Sequence, residues 1–352
     1  MTQPLEIMLD NILADPLAAT HGATDPVGYV GFDIPLEILI TPGRCFSHLP
    51  WQKGRPTPQA DRWLESAFPG WANSILEDRI DGAFDHFGHV VFTRGDDASQ
   101  RLYYYVCELQ RRNIIGGPRP VLYDVAKIFR DTSLAHCRLA IHKLMQTLDI
   151  PDAGLEEAVD IANARRSLYG MLDLARVGPG RLYAKMARAS LFRDNHAEIV
   201  NAELPRAAPM PRLLLAGSVP PDESLHLAIE AAGWNVVGEV HQLNLSRFGP
   251  PVELDVTDPL YDLARHYNSC PFGPRAFGDS GSRLRAEMQR TQSDAVVLWL
   301  TNSDEALAWH VIRQREVFEE QGLPFLILTG RRWDGSDGVT QEITAFLEGL
   351  SR

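Results

Sequence analysis

In a sheet of parallel strands, ligands gather where the strands end, so the residues that follow each apolar run come first. Arg94, Asp96 and Asp97 follow His89–Thr93, and Gly217 and Ser218 follow Arg212–Ala216. His241, Asn244, Ser246 and Arg247 follow Asn235–Val240; Thr301, Asn302, Ser303 and Asp304 follow Asp294–Leu300. The last two sets are polar and unlike metal-ligand clusters. Gly217-Ser218-Val219-Pro220-Pro221 lacks the glycine spacing of dinucleotide and Walker loops, so its small residues either close a tight turn or admit close approach by a substrate. No G-x-S-x-G elbow and no H-x-x-x-H or H-E-x-x-H zinc pattern occurs.

Cys45, Cys107, Cys137 and Cys270 are too few for a disulfide framework in 352 residues, and no C-x-x-C spacing suggests zinc. A cytoplasmic, reducing setting is expected. Cys107 and Cys137 lie inside helical stripes, where a buried structural thiol is the expectation, while Cys45 and Cys270 lie in loops. A net charge of −12 opposes nucleic-acid binding, which needs clustered Lys and Arg. The first residues carry Glu6, Asp10 and Asp15 and no basic stretch before an apolar one, so no secretory signal is expected. No apolar run is long enough to imply a membrane span.

Hydrophobic periodicity places these residues on elements. Leu5–Leu13 is amphipathic and Thr20–Val27 is turn-rich, so residues 1–30 read as an N-terminal arm. Asp61–Phe68 and Trp71–Arg79 read as short helices split by Pro69-Gly70. His89–Thr93 and Pro120–Val125 read as strands, with helices at Ala98–Arg112 and Thr132–Leu148, giving a first α/β domain over 31–153. Gly154–Val177 and Gly180–Phe192 form a helical connector over 154–203. Beyond the Pro-bearing break Leu204–Pro211, strands at Arg212–Ala216, Asn235–Val240, Asp294–Leu300 and Pro324–Leu328 alternate with helices, the longest at Glu305–Gln321, giving a second α/β domain over 204–352. Alternation of this kind implies two Rossmann-like domains with parallel sheets covered on both faces. The strand-end loops near 94–97, 217–218 and 301–304 should line the cleft between them.

The order of blocks resembles the 2-hydroxyacyl-CoA dehydratase and benzoyl-CoA reductase superfamily. Ile34–Gly43 resembles its "P-x-E-L-I-x-A-x-G" segment, and Phe68–Ser74 its "C-P-x-x-R-S" segment. Val91–Tyr103, ending Arg101-Leu102-Tyr103, resembles "I-P-H-T-C-D-x-x-R-R-L-Y", and Asn163, Arg166, Leu168 and Tyr169 resemble a helical "N-x-x-R" segment. Arg212–Ser218 is similar to the opening of the second half, Asp258-Pro259-Leu260 and Tyr267–Pro271 to later blocks, and Leu300–Asp304 to a "K-x-C-D" loop, so the likeness runs over roughly residues 30–350.

The resemblance implies two Rossmann-like halves and subunits that work in pairs. It also implies a [4Fe-4S] cluster on three cysteines, fed by an ATP-hydrolysing activator and acting on an acyl-CoA thioester by single-electron reduction. At the matching positions this chain has Phe68, Asp96 and Ser303. Neither a ring nor a hydroxyl replaces a thiolate on a soft iron–sulfur core, so no cluster or other metal is expected on this chain. It reads as the cluster-free, accessory subunit of a heterodimer, a dehydratase (lyase) or a benzoyl-CoA reductase-like oxidoreductase, whose related partner carries the cluster. A stand-alone acyl-CoA-type binding protein or non-redox enzyme is the alternative.

For catalysis, the resemblance puts Glu37 on the substrate side, where it would handle protons, against a plain helix-start or surface carboxylate. Arg94 would meet a thioester oxygen or a CoA phosphate, or stand solvated. Ser218 and His241 complete the substrate-pocket candidates, although strand-end histidines such as His241 and His89 are more often simply satisfied. Phe68, Asp96 and Ser303 should converge on one pocket, with Phe68 partly filling it. Trp51 and Phe272 are candidates for an apolar partner contact.

Overall fold

The computed structural model describes residues 4–40, 44–194, 196–255, 258–269 and 279–350. Cys270, Phe272 and the segment 41–43 lie outside them. Eight strands run among the described residues: β1 Val27–Val30, β2 Phe46–His48, β3 His89–Thr93, β4 Arg119–Tyr123, β5 Arg212–Gly217, β6 Asn235–Val240, β7 Ala295–Thr301 and β8 Phe325–Arg331. They form two four-stranded sheets, ordered β2-β1-β3-β4 and β6-β5-β7-β8, and every pairing is parallel. Both sheets therefore share one topology, in which the first strand of each half is central and the chain winds outward on either side.

Alternate residues of each central strand feed different cores, as the two-residue period of a strand requires. Val27 and Tyr29 pack on one face of the first sheet and Val30 on the other. Leu213 and Leu215 face one side of the second sheet, and Leu214 and Ala216 the opposite side. Covered on both faces, β7 reads Ala-Val-Val-Leu-Trp-Leu-Thr and is buried throughout. The helix Gly180–Phe192 touches both β2 and β6, and the helix Leu155–Ala175 packs on Leu36–Leu39 and Gln242–Phe248, so both bind the two halves together. No described helix is long and apolar enough to cross a membrane.

Several elements differ from the sequence expectation. Residues 4–30 of the expected arm 1–30 do not stand apart: Leu5, Leu9 and Ile12 of the helix Leu5–Ala14 are buried in one core with Leu182, Met186 and Leu191. Val27–Val30, placed among turn residues by its Asp-Pro and Gly neighbours, is the buried central strand. Gly28 suits it because a Cβ there would lie 3.0 Å from both Leu49 and Val90. Asp61–Phe68 holds only the 3-10 turn Ala60–Arg62. The long helix expected over Glu305–Gln321 breaks at Trp309-His310 into Glu305–Ala308 and Val311–Gln321. β2 and the helices His196–Val200 and Gln242–Phe248 were not legible beforehand.

The central strands end in a shared device. Gly31 and Gly217 follow or close β1 and β5 with φ of +104° and +114°. A Cβ at Gly217 would lie 2.1 Å from the Trp299 carbonyl oxygen, an atom of the neighbouring backbone that cannot yield. Gly217→Ala is therefore expected to lower stability by about 2–3 kcal/mol. Urea unfolding followed by circular dichroism measures it, and a loss under about 0.5 kcal/mol would contradict this strand packing.

Candidate functional site

In each sheet the strand order reverses between the first and third strands, and such switch points open a crevice at the strand ends. Here both open onto one cleft of about 970 Å³. Gly31 and Phe32 enter it after β1, Asp96–Ser99 after β3, Gly217–Pro220 from β5, His241 and Gln242 after β6, and Thr301–Leu307 from β7. The loops expected at 94–97, 217–218 and 301–304 thus meet there, with Arg94 and Gly95 the exceptions.

Asp96 caps the helix Asp97–Arg111, its Oδ1 accepting the Ser99 N–H at 2.7 Å. Burial pushes its carboxyl up to about 6; the Ser99 amide opposes this, and the charges of Asp33 and Asp304 reinforce it. Asp33 lies beneath, wholly buried, accepting the Thr93 hydroxyl and standing 3.2 Å from Lys127 Nζ. Gly95 lets the loop pass over it, because a Cβ there would sit 1.8 Å from Asp33 Oδ2.

Across the cleft, Ser218 joins the ends of β5 and β7. Its hydroxyl donates to Asp304 Oδ2 and accepts the Thr301 N–H at 2.9 Å. Thr301 Oγ1 donates to the same carboxylate oxygen at 3.0 Å and lies 3.0 Å from Ser303 Oγ. Burial raises the Asp304 carboxyl, and the two hydroxyls partly hold it back. Asp96 and Asp304 therefore offer the cleft two acidic groups with raised affinity for protons.

His241 lines the same cleft but has no nitrogen left for a ligand. Nδ1 accepts the Asn244 N–H at 3.1 Å, which makes Nε2 the protonated atom, and Nε2 stands 3.1 Å from Glu239 Oε1. Glu239 also meets His226 Nε2 at 2.9 Å and Arg176 at 3.1 Å. Burial alone would push its carboxyl up; His226, His241 and Arg176 instead hold it well below the usual range. His241 is thus a wall and a helix cap. His48 is similar: Nδ1 lies 2.6 Å from the Leu49 carbonyl, Nε2 accepts the Gly31 N–H at 3.2 Å, and burial lowers the ring to about 3. It stays neutral between Phe32, stacked at 5.6 Å, and Trp51, edge-on at 5.3 Å.

Other candidates fall elsewhere. Glu37 does not line the cleft; it is wholly buried, ion-paired with Arg166, and accepts the Tyr267 O–H at 2.9 Å. Burial opposes its charge, but Arg166 and His266 carry its carboxyl below the usual value, so it is a fixed anion of the interior rather than a proton carrier. Arg94 pairs with Asp124 at 2.6 Å outside the cleft. The Phe68 segment does reach the cleft through Ala67 and Pro69. The Phe68 ring itself packs edge-on against Tyr105 at 5.3 Å and under the Arg101 guanidinium at 4.3 Å, beneath the wall rather than in the opening. Trp51 lines the cleft and donates to the Pro221 carbonyl at 3.0 Å, so it joins the two halves instead of forming an outer patch.

Asp96 and Ser303 lie on the lining and Phe68 behind it, and none of the three offers a thiolate. Asp96 is spent on a helix cap, Ser303 on the Thr301 hydroxyl, and Phe68 has no donor atom. No described cysteine lines the cleft. Cys137 is buried with Sγ 3.3 Å from both the Ala126 amide and carbonyl, and Cys45 donates to the Ala19 carbonyl at 3.3 Å. This donor set does not fit a three-thiolate cluster. Among the described residues no group of three His, Cys, Asp or Glu side chains is placed to hold a metal ion.

Three lining tryptophans, Trp71, Trp309 and Trp333, escaped the sequence reading. The available signal was Pro69-Gly70: the Trp333 ring lies where a Cβ on Gly70 would be 3.0 Å away. A family model described as 2-hydroxyglutaryl-CoA dehydratase, D-component, matches residues 32–350. No curated protein matches the sequence.

Two substitutions separate these roles. The Asp96 carboxyl binds its proton more tightly folded than unfolded, so its contribution is full below the ordinary value near 3.8 and lost as pH rises through about 6. Asn mimics the protonated form and still caps the helix. Asp96→Asn should flatten the decline in stability between these pH values and gain about 1 kcal/mol at pH 8, after allowance for solvent screening. Urea midpoints against pH test this, and an unchanged slope would refute it. Glu37→Ala strands Arg166 in the interior and should cost about 3–5 kcal/mol in the same assay.

Proposed function

Since the chain belongs to the family of the 2-hydroxyglutaryl-CoA dehydratase D-component, in the 2-hydroxyacyl-CoA dehydratase superfamily, we propose that it is the cluster-free subunit of such a complex. A related partner carries the [4Fe-4S] cluster and the acyl-CoA site, and an ATP-hydrolysing activator supplies electrons to it. This chain contributes contact surface and shape. The observation that carries the reading is the fate of the three matched positions: a helix cap, a hydroxyl pair and a core ring, none able to bind iron as a thiolate does.

A second reading, a stand-alone acyl-CoA-type binding protein or non-redox enzyme, draws support from Asp96 and Asp304, which give the cleft proton-handling groups of its own.

Anaerobic purification of the chain alone and co-expressed with a three-cysteine paralogue distinguishes the two, with iron, sulfide and dehydratase activity measured on each. The isolated chain should carry no stoichiometric iron, and activity should appear only in the complex. About four irons per isolated chain would overturn the cluster-free assignment. Dehydratase activity from this chain alone would overturn the subunit assignment.

A further inference from the structure

One rim of the cleft leaves apolar surface in water. Trp309, at the break between Glu305–Ala308 and Val311–Gln321, is the most exposed large apolar side chain among the described residues, at 86%, and Ile312, three residues on, is 76% exposed. Ala306 and Ala308 beside them are exposed as well. The core beneath is served by other residues of the same stretch: Leu307 and Val311 pack on the second sheet with Leu298 and Phe318. Scattered exposed apolar residues are ordinary, but an indole beside an isoleucine is a patch, and tryptophan is among the side chains enriched at the centres of interfaces.

The same rim borders a receptor for such a knob. Trp309 itself lines the cleft, and Trp71 and Trp333 stand on the lining with Phe32 and the neutral His48 ring on which Phe32 stacks. At about 970 Å³ the cleft has room for more than one indole.

Charge is matched between the two surfaces. Asp96, Asp97, Asp304 and Glu305 line the cleft against Arg101 and Arg283, which leaves the lining acidic. Next to the knob the sign is opposite: Arg313 and Arg315 follow Ile312 and are exposed. Arg313 lies 2.9 Å from Glu316 and Arg315 2.9 Å from Glu319, all on one helix surface. Exposed pairs of this kind are weak and give way readily to a better-placed carboxylate.

Knob and receptor lie side by side on one face, and that restricts what can cover them. Patches on remote faces lead to open chains of molecules, whereas a knob beside its own receptor is satisfied by a two-fold axis, with each copy giving and receiving at once. We propose that the chain pairs with a second copy of itself across this rim, Trp309 and Ile312 of one protomer entering the cleft of the other and Arg313 and Arg315 lying over its acidic lining. Each cleft is then completed by an indole from the opposite copy. This assignment goes beyond the partner-subunit reading and does not rest on it.

Sedimentation equilibrium of the full chain between about 1 and 200 µM tests it. One apolar anchor per copy makes a small interface, so a reversible dimer with a dissociation constant on the order of 10 µM is expected. Trp309→Ser should weaken it at least about tenfold and Ile312→Ser about fivefold. Arg313→Gln with Arg315→Gln should weaken it about threefold. All four side chains are exposed, so circular dichroism should find the variants folded like the parent. A benzophenone side chain in place of Trp309 reports where that side chain goes. In mixtures of isotope-labelled and unlabelled chain, its photo-crosslinks should join the two isotopic forms, at peptides containing Trp71 or Trp333. A monomer at every concentration would overturn the proposal, as would a dimer that Trp309→Ser leaves intact, or crosslinks confined to one isotopic form. A chain that does not self-associate but binds the three-cysteine paralogue through Trp309 would overturn it too, and give the rim to that subunit. Iron content and dehydratase activity are read separately, so failure here would leave the subunit assignment standing.

Discussion

The close pass of neighbouring parallel strands at their carboxyl ends governs what this cleft can contain. β1 lies against β3 and β5 against β7, and at both contacts the chain turns away through a glycine at positive φ, Gly31 or Gly217. A Cβ at Gly31 would meet the Thr93 methyl at 2.1 Å, much as one at Gly217 would meet the Trp299 carbonyl. These two turns free the next residues to face the opening, and the hydrogen bonds of Ser218 and Thr93 then fix the adjoining loops. Since both sheets wind in the same order, the two crevices are equivalents brought face to face by the helices that touch both halves.

Charge is distributed by the same geometry. Three carboxylates of the interior have cationic partners: Asp33 has Lys127, Glu37 has Arg166, and Glu239 has Arg176. Those arrangements hold Glu37 and Glu239 ionised despite burial. On the cleft wall Asp96 and Asp304 receive only amide and hydroxyl hydrogen bonds in the contacts they make, and desolvation prevails, raising both. Glu37 and Glu239 are thus fixed structural charges, while Asp96 and Asp304, with no guanidinium or ammonium in the contacts they make, are groups able to exchange a proton.

Sequence reasoning was most successful where a signal was local. The strands His89–Thr93 and Asn235–Val240 and the helix Gly180–Phe192 are found with the expected limits, because apolar runs and helical stripes are written in adjacent residues. The Gly217-Ser218 and Thr301–Asp304 loops could be placed at strand ends for the same reason. β1 was lost among Pro, Asp and Gly signals for turns, since its four residues, Gly28 among them, acquire strand character only from β2 and β3 on either side.

Side-chain roles were harder to read than positions. Asp96 and Ser303 could be nominated by order along the chain, whereas Glu37 and Arg94 could not be excluded, because the partners that bind them, Arg166 and Asp124, lie far away in sequence. The same holds for His241, whose nitrogens are committed by Glu239 and Asn244 only once β6 and the following helix are folded. Residue types and periodicity determined by themselves that the chain would build parallel sheets with polar loops at their ends, since short-range sterics and burial decide that much. Only the tertiary structure decided which of those polar groups face a ligand, because that depends on which distant charge arrives first to neutralise them.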